Sequence, residues 1–423
     1  MKNPSKVSPQ LLILMQSLPS MNTSAICPLL IAAAALALVG CDAPKEDSAD
    51  KQAARGKWKK HVVQEDIAPG EEGQPTMINT VVAEDFDKDG HIDLLASLQG
   101  KVMLYKGPTW ERKTVMEEMP KDRTGRIAER GCIHSCLMDV DGDGDMDYIG
   151  SNRMLFWLEC PEKPFEQEWK RRMIHLEVNG AHCVITADVD RDGKIDLIAN
   201  SWRDESETTL PNSIAWFRTP ENPKEDKLWT AHLLADRDAP GRNHYHGFAD
   251  MNGDGRGDVC SGAPVGEWFA WWEQPEDPTQ PWSKHVLSTD DPGATNILPA
   301  DLNGDGKLDF VASRGHGKGV LWYPAPDYKK VEIDTELADP HCLQVADLDQ
   351  DGDLDLATAS CVADGHVVWY ENDGSGKFTR HDLEAKQESY DLRIVDMDKD
   401  GDLDLLHAGN DSGNIVWYEN PLK

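Results

Sequence analysis

Positive charge is what this 423-residue chain has little of: 43 Lys and Arg stand against 76 Asp and Glu, for a formal net charge of −33. No basic stripe stands out, which disfavours nucleic acid as a partner, since phosphate binding needs clustered cations. The sequence also lacks a nucleophile motif, paired catalytic carboxylates, a phosphate-cradling glycine loop and a cofactor fingerprint. Nothing in it therefore announces hydrolytic, kinase-like or dinucleotide-dependent chemistry. Cysteine is sparse at nine, and no C-x-x-C pair occurs, so thiolate zinc has no support. The main apolar run, residues 29–40, is too short for a transmembrane span.

What is present is a repeat. Seven times the chain writes D-x-[DN]-x-D-G-x-x-D followed by an apolar run. The first aspartates are spaced 54, 49, 62, 51, 46 and 49 residues apart. One supersecondary unit per period of that length is how repeat and propeller architectures show themselves. Oxygen-bearing side chains fall at positions one, three, five and nine. They are Asp85, Asp87, Asp89 and Asp93; Asp139, Asp141, Asp143 and Asp147; Asp188, Asp190, Asp192 and Asp196; Asp250, Asn252, Asp254 and Asp258; Asp301, Asn303, Asp305 and Asp309; Asp347, Asp349, Asp351 and Asp355; and Asp396, Asp398, Asp400 and Asp404. Position six is always Gly, which permits the sharp turn that gathers the oxygens.

Hard oxygen donors at alternate positions around a glycine turn suit Ca2+, which takes six to eight oxygens. Up to seven such sites are expected. Mg2+ fits less well, because it wants a smaller octahedral cage, and Zn2+ finds no Cys or His at a ligand position. An EF-hand would place Glu at position twelve between helices. Here Ala96 and Ala199 stand there, and the flanks read as strands. Asn252 and Asn303 each lower the charge of their loops by one. A metal-free Asp-Gly turn is the alternative; seven copies in register argue against it.

Each period also carries an aromatic strand: Trp157, Trp216–Phe217, Trp271–Trp272, Trp322–Tyr323, Trp369–Tyr370 and Trp417–Tyr418, with Leu104–Tyr105 in the first. Flat, large side chains at the repeat period read as inter-blade packing rather than sugar stacking. A fourth strand follows, carrying a histidine such as His175, His232, His285 or His381 on a solvent-side or edge position. The last repeat ends without that strand, while residues 58–63 match it and precede the first repeat. The N-terminal strand is therefore expected to complete the last blade and close the ring, removing free sheet edges. The expected fold is all-β, a seven-bladed β-propeller with about four strands per blade.

The chain resembles FG-GAP/VCBS repeat proteins, whose best-known relative is the N-terminal propeller of integrin α chains. The resemblance covers residues 56–423 and rests on the acidic motif and on W-Y-E-N at residues 369–372 and 417–420. It implies a calcium-stabilised propeller outside the cytoplasm. It does not imply an integrin ligand, because that activity needs a partner chain.

Residues 1–40 contain no acid and end in Leu38–Val39–Gly40 before Cys41. This resembles a bacterial lipoprotein signal, with Cys41 the lipidation site and an ordinary signal peptide the alternative. Residues 41–55 read as a flexible tether and 56–423 as the propeller. The expected location is exported and membrane-anchored, at the periplasmic face or cell surface. From Cys41 onward the charge balance is −35, which seven Ca2+ would bring to −21. Much of the acidity thus belongs to the loops. Cys342 and Cys361 flank one loop, and a disulfide is expected there in an oxidising compartment.

On the face opposite the acidic turns, residues just before each first strand should ring the central channel: Asn79, His134, His182, His244, Asn296, His341 and Tyr390, with His246 beside His244. Loops leaving the second strands add Trp202, Arg203, Arg314 and His316. One reading is structural, with these residues capping strand starts. The other is a polar funnel for an acidic or sugar-like ligand, or for a second metal held by imidazoles. Arg203, Arg242 and Arg314 would hold a carboxylate bidentately, and a His would serve as base near neutral pH. Some sugar lyases and dehydratases resemble this family in their propellers. The preferred reading is a lipid-anchored calcium-binding propeller acting as a binding or scaffold module for an unknown protein or glycan. The alternative is a carbohydrate lyase or dehydratase in the funnel.

Overall fold

The computed structural model describes residues 57–65, 77–122, 124–127, 131–203, 205–225 and 227–422. The expected signal (1–40), the tether (41–55) and Cys41 lie outside the described residues. The described residues contain no helix; 28 strands, β1 to β28 in chain order, form seven four-stranded antiparallel sheets. Six sheets take four consecutive strands each. The seventh joins β26 (Asp391–Val395), β27 (Asp404–Ala408) and β28 (Ile415–Glu419) to β1 (Lys59–Gln64). Lys59 lies opposite Glu419, and Val62 opposite Val416. The N-terminal strand thus closes the last blade.

The first strand of each blade faces the channel: β2 (Ile78–Glu84), β6 (His134–Met138), β10 (Val184–Ala187), β14 (His246–Ala249), β18 (Asn296–Ala300), β22 (Pro340–Ala346) and β26. Each neighbours the next around the ring, and β26 returns to β2. The second strands are buried at every position, as in β3 (Asp93–Leu98) and β27. Sheets on both sides cover them, which is why their sequences run apolar and small without alternation. Fourth strands such as β17 (Ser283–Ser288) are largely exposed.

Seven apolar clusters hold the blades together, each shared by two neighbours. Leu95 and Leu104 of blade one meet Tyr148 and Phe156 of blade two. Leu406 and Trp417 of blade seven meet Leu94 and Tyr105 of blade one. Trp157, Trp216 and Trp272 are fully buried. The aromatic stripe is packing.

The outer histidines have a defined job. His61, His232, His285 and His381 stand directly opposite Trp417, Trp216, Trp271 and Trp369. They stack on them with centroids 4.0, 4.4, 4.1 and 4.7 Å apart. His285 and His381 also bond Glu273 and Glu371, two residues past the tryptophan, at 2.8 and 2.9 Å. Arg172 fills the same place opposite Trp157, on Glu159 at 2.8 Å. In W-Y-E-N the tryptophan and glutamate therefore clasp the fourth strand, while Tyr370 and Tyr418 fill the blade interface. The amides of Asn372 and Asn420 donate to the carbonyls of Leu302 and Leu348 in the preceding blades.

The expected Cys342–Cys361 bridge is not formed; both are free thiols. Cys342 is buried with Sγ toward the Ala359 carbonyl, whereas Cys361 points at Glu388, so the two sulfurs serve different surroundings.

Trp216→Ala should destabilise the fold by about 3–5 kcal/mol in denaturant unfolding, as emptied aromatic sites do. His232→Ala removes only the stacked ring and should cost about 0.5–1.5 kcal/mol. Equal losses would contradict this division between interface and outer strand.

Candidate functional site

The seven acidic turns join strand one to strand two of every blade and share one face. Each folds around its own carboxylates. In the first, Asp85 accepts the N–H groups of Asp89 and Gly90, both at 3.0 Å, and Asp89 accepts that of His91. Gly90 has φ +97°, with no atom near the space a Cβ would take; the turn demands the left-handed conformation there. The same amide pattern recurs around Asp139, Asp250, Asp347 and Asp396.

The ninth residue has a second duty. Asp147 accepts the Val140 N–H at 3.0 Å on one oxygen and the Cys160 N–H at 2.8 Å on the other. Asp258, Asp309, Asp355 and Asp404 are bonded twice in the same way. Each pins the turn to the end of the third strand.

The donor set fits a hard divalent cation. Carboxylate oxygens of Asp85, Asp87 and Asp93 lie within 4.8 Å of one another, as do those of Asp139, Asp141 and Asp143, of Asp188, Asp190 and Asp196, and of Asp347, Asp349 and Asp351. Oδ2 of Asp93 and Oδ1 of Asp188 are buried without a hydrogen-bond donor, an arrangement a cation would satisfy. A feature the sequence reading missed is that basic side chains reach into the turns. Lys106 pairs with Asp87 and Asp89, Arg218 with Asp190, and Arg256 with Asp254. Lys224 bridges Asp141 and Glu159 at 2.7 and 3.0 Å. The available signal was the sign reversal at Lys106 and Arg218, which follow the bulky aromatic where Glu159, Glu273, Glu371 and Glu419 stand in four of the other repeats.

Burial, with help from the neighbouring carboxylates, pushes the ninth residues upward: Asp93 to about 6, Asp196 and Asp404 to about 7, Asp147 and Asp355 to about 8.

The opposite face carries the imidazoles. His244 precedes β14, His341 lies in β22, and His316 sits between β19 (Asp309–Ser313) and β20 (Lys318–Tyr323). A ligating nitrogen of each lies within 4.8 Å of the others. Nε2 of His244 is 3.0 Å from Nε2 of His316. His182 stacks on His244 with centroids 4.3 Å apart. Its Nδ1 lies 2.7 Å from Trp202 Nε1 and 2.9 Å from the Gly180 carbonyl. An indole only donates and a carbonyl only accepts, so one contact is a hydrogen bond at a time. Arg203 and Arg242 lie over the Trp202 ring at 4.0 and 4.9 Å. Burial pushes His182 down to about 4 and His341 to about 3, keeping both rings neutral.

The remaining candidates lie outside this cluster. His134 accepts the Val184 N–H at 3.2 Å and faces Arg393. His246 is buried in the blade interface, its N–H 3.4 Å from Cys183 Sγ. Arg314 is engaged by Asp291 and Glu332 at 2.7 and 2.9 Å, so its charge is already compensated. Asn79 and Asn296 donate to the Cys132 and His341 carbonyls, the capping role of the structural reading.

Arg393 escaped the sequence reading. From β26 it bonds Asp391 at 3.0 Å and the Ser135 carbonyl at 2.9 Å, linking blade seven to blade two. The signal was an Arg between Leu392 and Ile394 on a channel-lining strand, where alternation turns it away from the core.

These shifts have opposite signs for stability. The ninth carboxylates, raised above 3.8, hold protons the unfolded chain releases, so their contribution is lost as pH rises through about 6–8. The buried imidazoles, lowered from 6.5, cost stability as pH falls below 6.5. Between pH 6.5 and 8 the carboxylates dominate. In chelator the melting midpoint should fall across that interval, and excess calcium should flatten the fall. Parallel profiles with and without calcium would contradict the assignment.

A family model described as an FG-GAP-like repeat matches residues 246–312 and 347–407. No curated protein matches the chain significantly. Among solved structures, a lectin of Agrocybe aegerita, described by its recognition of non-reducing terminal N-acetylglucosamine, is 16% identical with a TM-score of 0.53, over 88% of this chain and 97% of that one. BBS1N, solved in complex with ARL6DN, is 11% identical with a TM-score of 0.54, over 87% and 98%. Both likenesses concern the fold. The chain folds as a seven-bladed β-propeller that carries FG-GAP-like repeats in those two matched stretches.

Proposed function

We propose that this propeller is a calcium-binding module, exported and held at a membrane by a lipid on Cys41, that acts as a binding or scaffold protein. The observation that carries the reading is the repeated acidic turn. Its amides already grip the first carboxylate, and in four repeats three carboxylates converge within 4.8 Å. Calcium would be held by positions one, three, five and nine with the backbone carbonyl of position seven. Lys106, Lys224, Arg218 and Arg256 supply part of the compensating charge and would compete with the ion for the first four turns. The lipid anchor rests on the sequence around Cys41 alone.

The ligand surface on this reading is the funnel face, for a protein or glycan. Trp202, flanked by Arg203 and Arg242, offers a flat ring beside two cations, a combination suited to a sugar bearing a carboxylate. A second reading, a carbohydrate lyase or dehydratase, is favoured by one observation: His244, His316 and His341 converge there with Arg242 alongside.

Binding of calcium to the folded chain should raise the melting midpoint with calcium concentration; each site contributes about 2.7 kcal/mol at a hundred times its Kd. A midpoint that ignores calcium would overturn the calcium reading. A glycan panel with the wild type, His182→Ala and His244→Ala separates the two functions. Binding without turnover supports the module. Unsaturated sugar products that vanish in the variants support the enzyme.

A further inference from the structure

We infer that His244, His316 and His341 form a three-imidazole site for one borderline transition-metal ion of the Zn2+ class at the mouth of the channel. This site is separate from the acidic turns in place and in chemistry. Its three donors come from blades four, five and six and lie within 4.8 Å of one another. Nitrogens sharing a tetrahedral zinc at about 2.0–2.1 Å stand roughly 3–3.5 Å apart. The His244–His316 separation of 3.0 Å is close to that.

The tautomers are fixed from behind. Nδ1 of His244 is 2.7 Å from the Arg242 carbonyl, and Nδ1 of His341 is 3.1 Å from the Tyr390 carbonyl. A carbonyl only accepts, so both Nδ1 atoms carry the proton and both Nε2 atoms present a bare lone pair. A backbone carbonyl behind each imidazole is the support that metal-binding histidines characteristically have. Nε2 of His341 is fully buried and has no hydrogen-bond partner, which leaves a polar atom unsatisfied unless an ion takes it.

The third ligand differs. His316 is exposed on its loop, so the site opens to solvent on that side and an ion has an entry path. Three protein ligands leave a coordination position for water or a ligand atom, the pattern of reactive zinc sites rather than closed structural ones. Neutral nitrogen donors with no carboxylate among them suit zinc, copper or nickel and disfavour calcium. The competing account is a metal-free contact in which His316 donates Nε2–H to His244.

The test uses the full chain, saturated with calcium and stripped of transition metals, titrated with Co2+. Nitrogen-rich four-coordinate Co2+ gives strong visible bands, whereas Co2+ among oxygens in an acidic turn absorbs weakly. One equivalent should develop the bands, and Zn2+ should abolish them. His316→Ala, on an exposed loop, should weaken Co2+ at least tenfold while leaving the calcium-dependent midpoint unchanged. His341→Ala should abolish the bands, and His285→Ala on an outer strand should leave them intact. No visible bands in the wild type, or bands that survive both His316→Ala and His341→Ala, would overturn the site. Loss of calcium stabilisation with the bands intact would count against the turns alone.

Discussion

A buried aspartate at the base of each acidic turn is the constraint from which the rest follows. Asp147, Asp258, Asp309, Asp355 and Asp404 each accept two backbone N–H groups, one from the turn and one from the end of the third strand. That pairing fixes where strand two begins and how the hairpin bends. It also places a carboxylate of raised pKa beneath two or three others, a charge concentration the fold must offset. The chain supplies some cations itself, through Lys106, Arg218, Lys224 and Arg256. A divalent ion would supply the remainder.

The propeller separates two chemistries by face. One end of every blade presents hard oxygens on turns that recur seven times. The other end is uneven. At the starts of the first strands His182, His244 and His341 converge on one side of the channel, with Trp202, Arg203 and Arg242 alongside. On the other side Arg393, Asp391, Thr80 and His134 form a hydrogen-bonded wall. The acidic turns recur because each blade needs one. The funnel breaks the seven-fold pattern, and departures from a repeat are where specific recognition is built.

Most of the fold was legible in the sequence because it is written seven times. The acidic motif marks the hairpin between strands one and two, and the tryptophans mark the blade interfaces. Residues 58–63 announced the closing strand by resembling a fourth strand out of place. The funnel was legible only as a set of positions. Repeat alignment put His134, His182, His244 and His341 at strand starts, but side-chain direction there depends on loop conformation, which differs from blade to blade. So His134 turned toward Arg393, and Arg314 was taken by Asp291 and Glu332. Lys106 comes from a third strand, Lys224 from the loop after one, and Arg393 from a first strand, and none of them occupies a motif position. The Cys342–Cys361 expectation failed because closeness at a loop does not set thiol direction.

The central claim is that divalent cations complete the acidic turns. A crystal structure of the protein grown with calcium tests it most directly. The account predicts ions seated among positions one, three, five and nine with oxygens at about 2.3–2.6 Å, and Lys106 and Arg218 swung away from Asp87 and Asp190. Turns that stay free of density, with those basic side chains still paired to the aspartates, would contradict it.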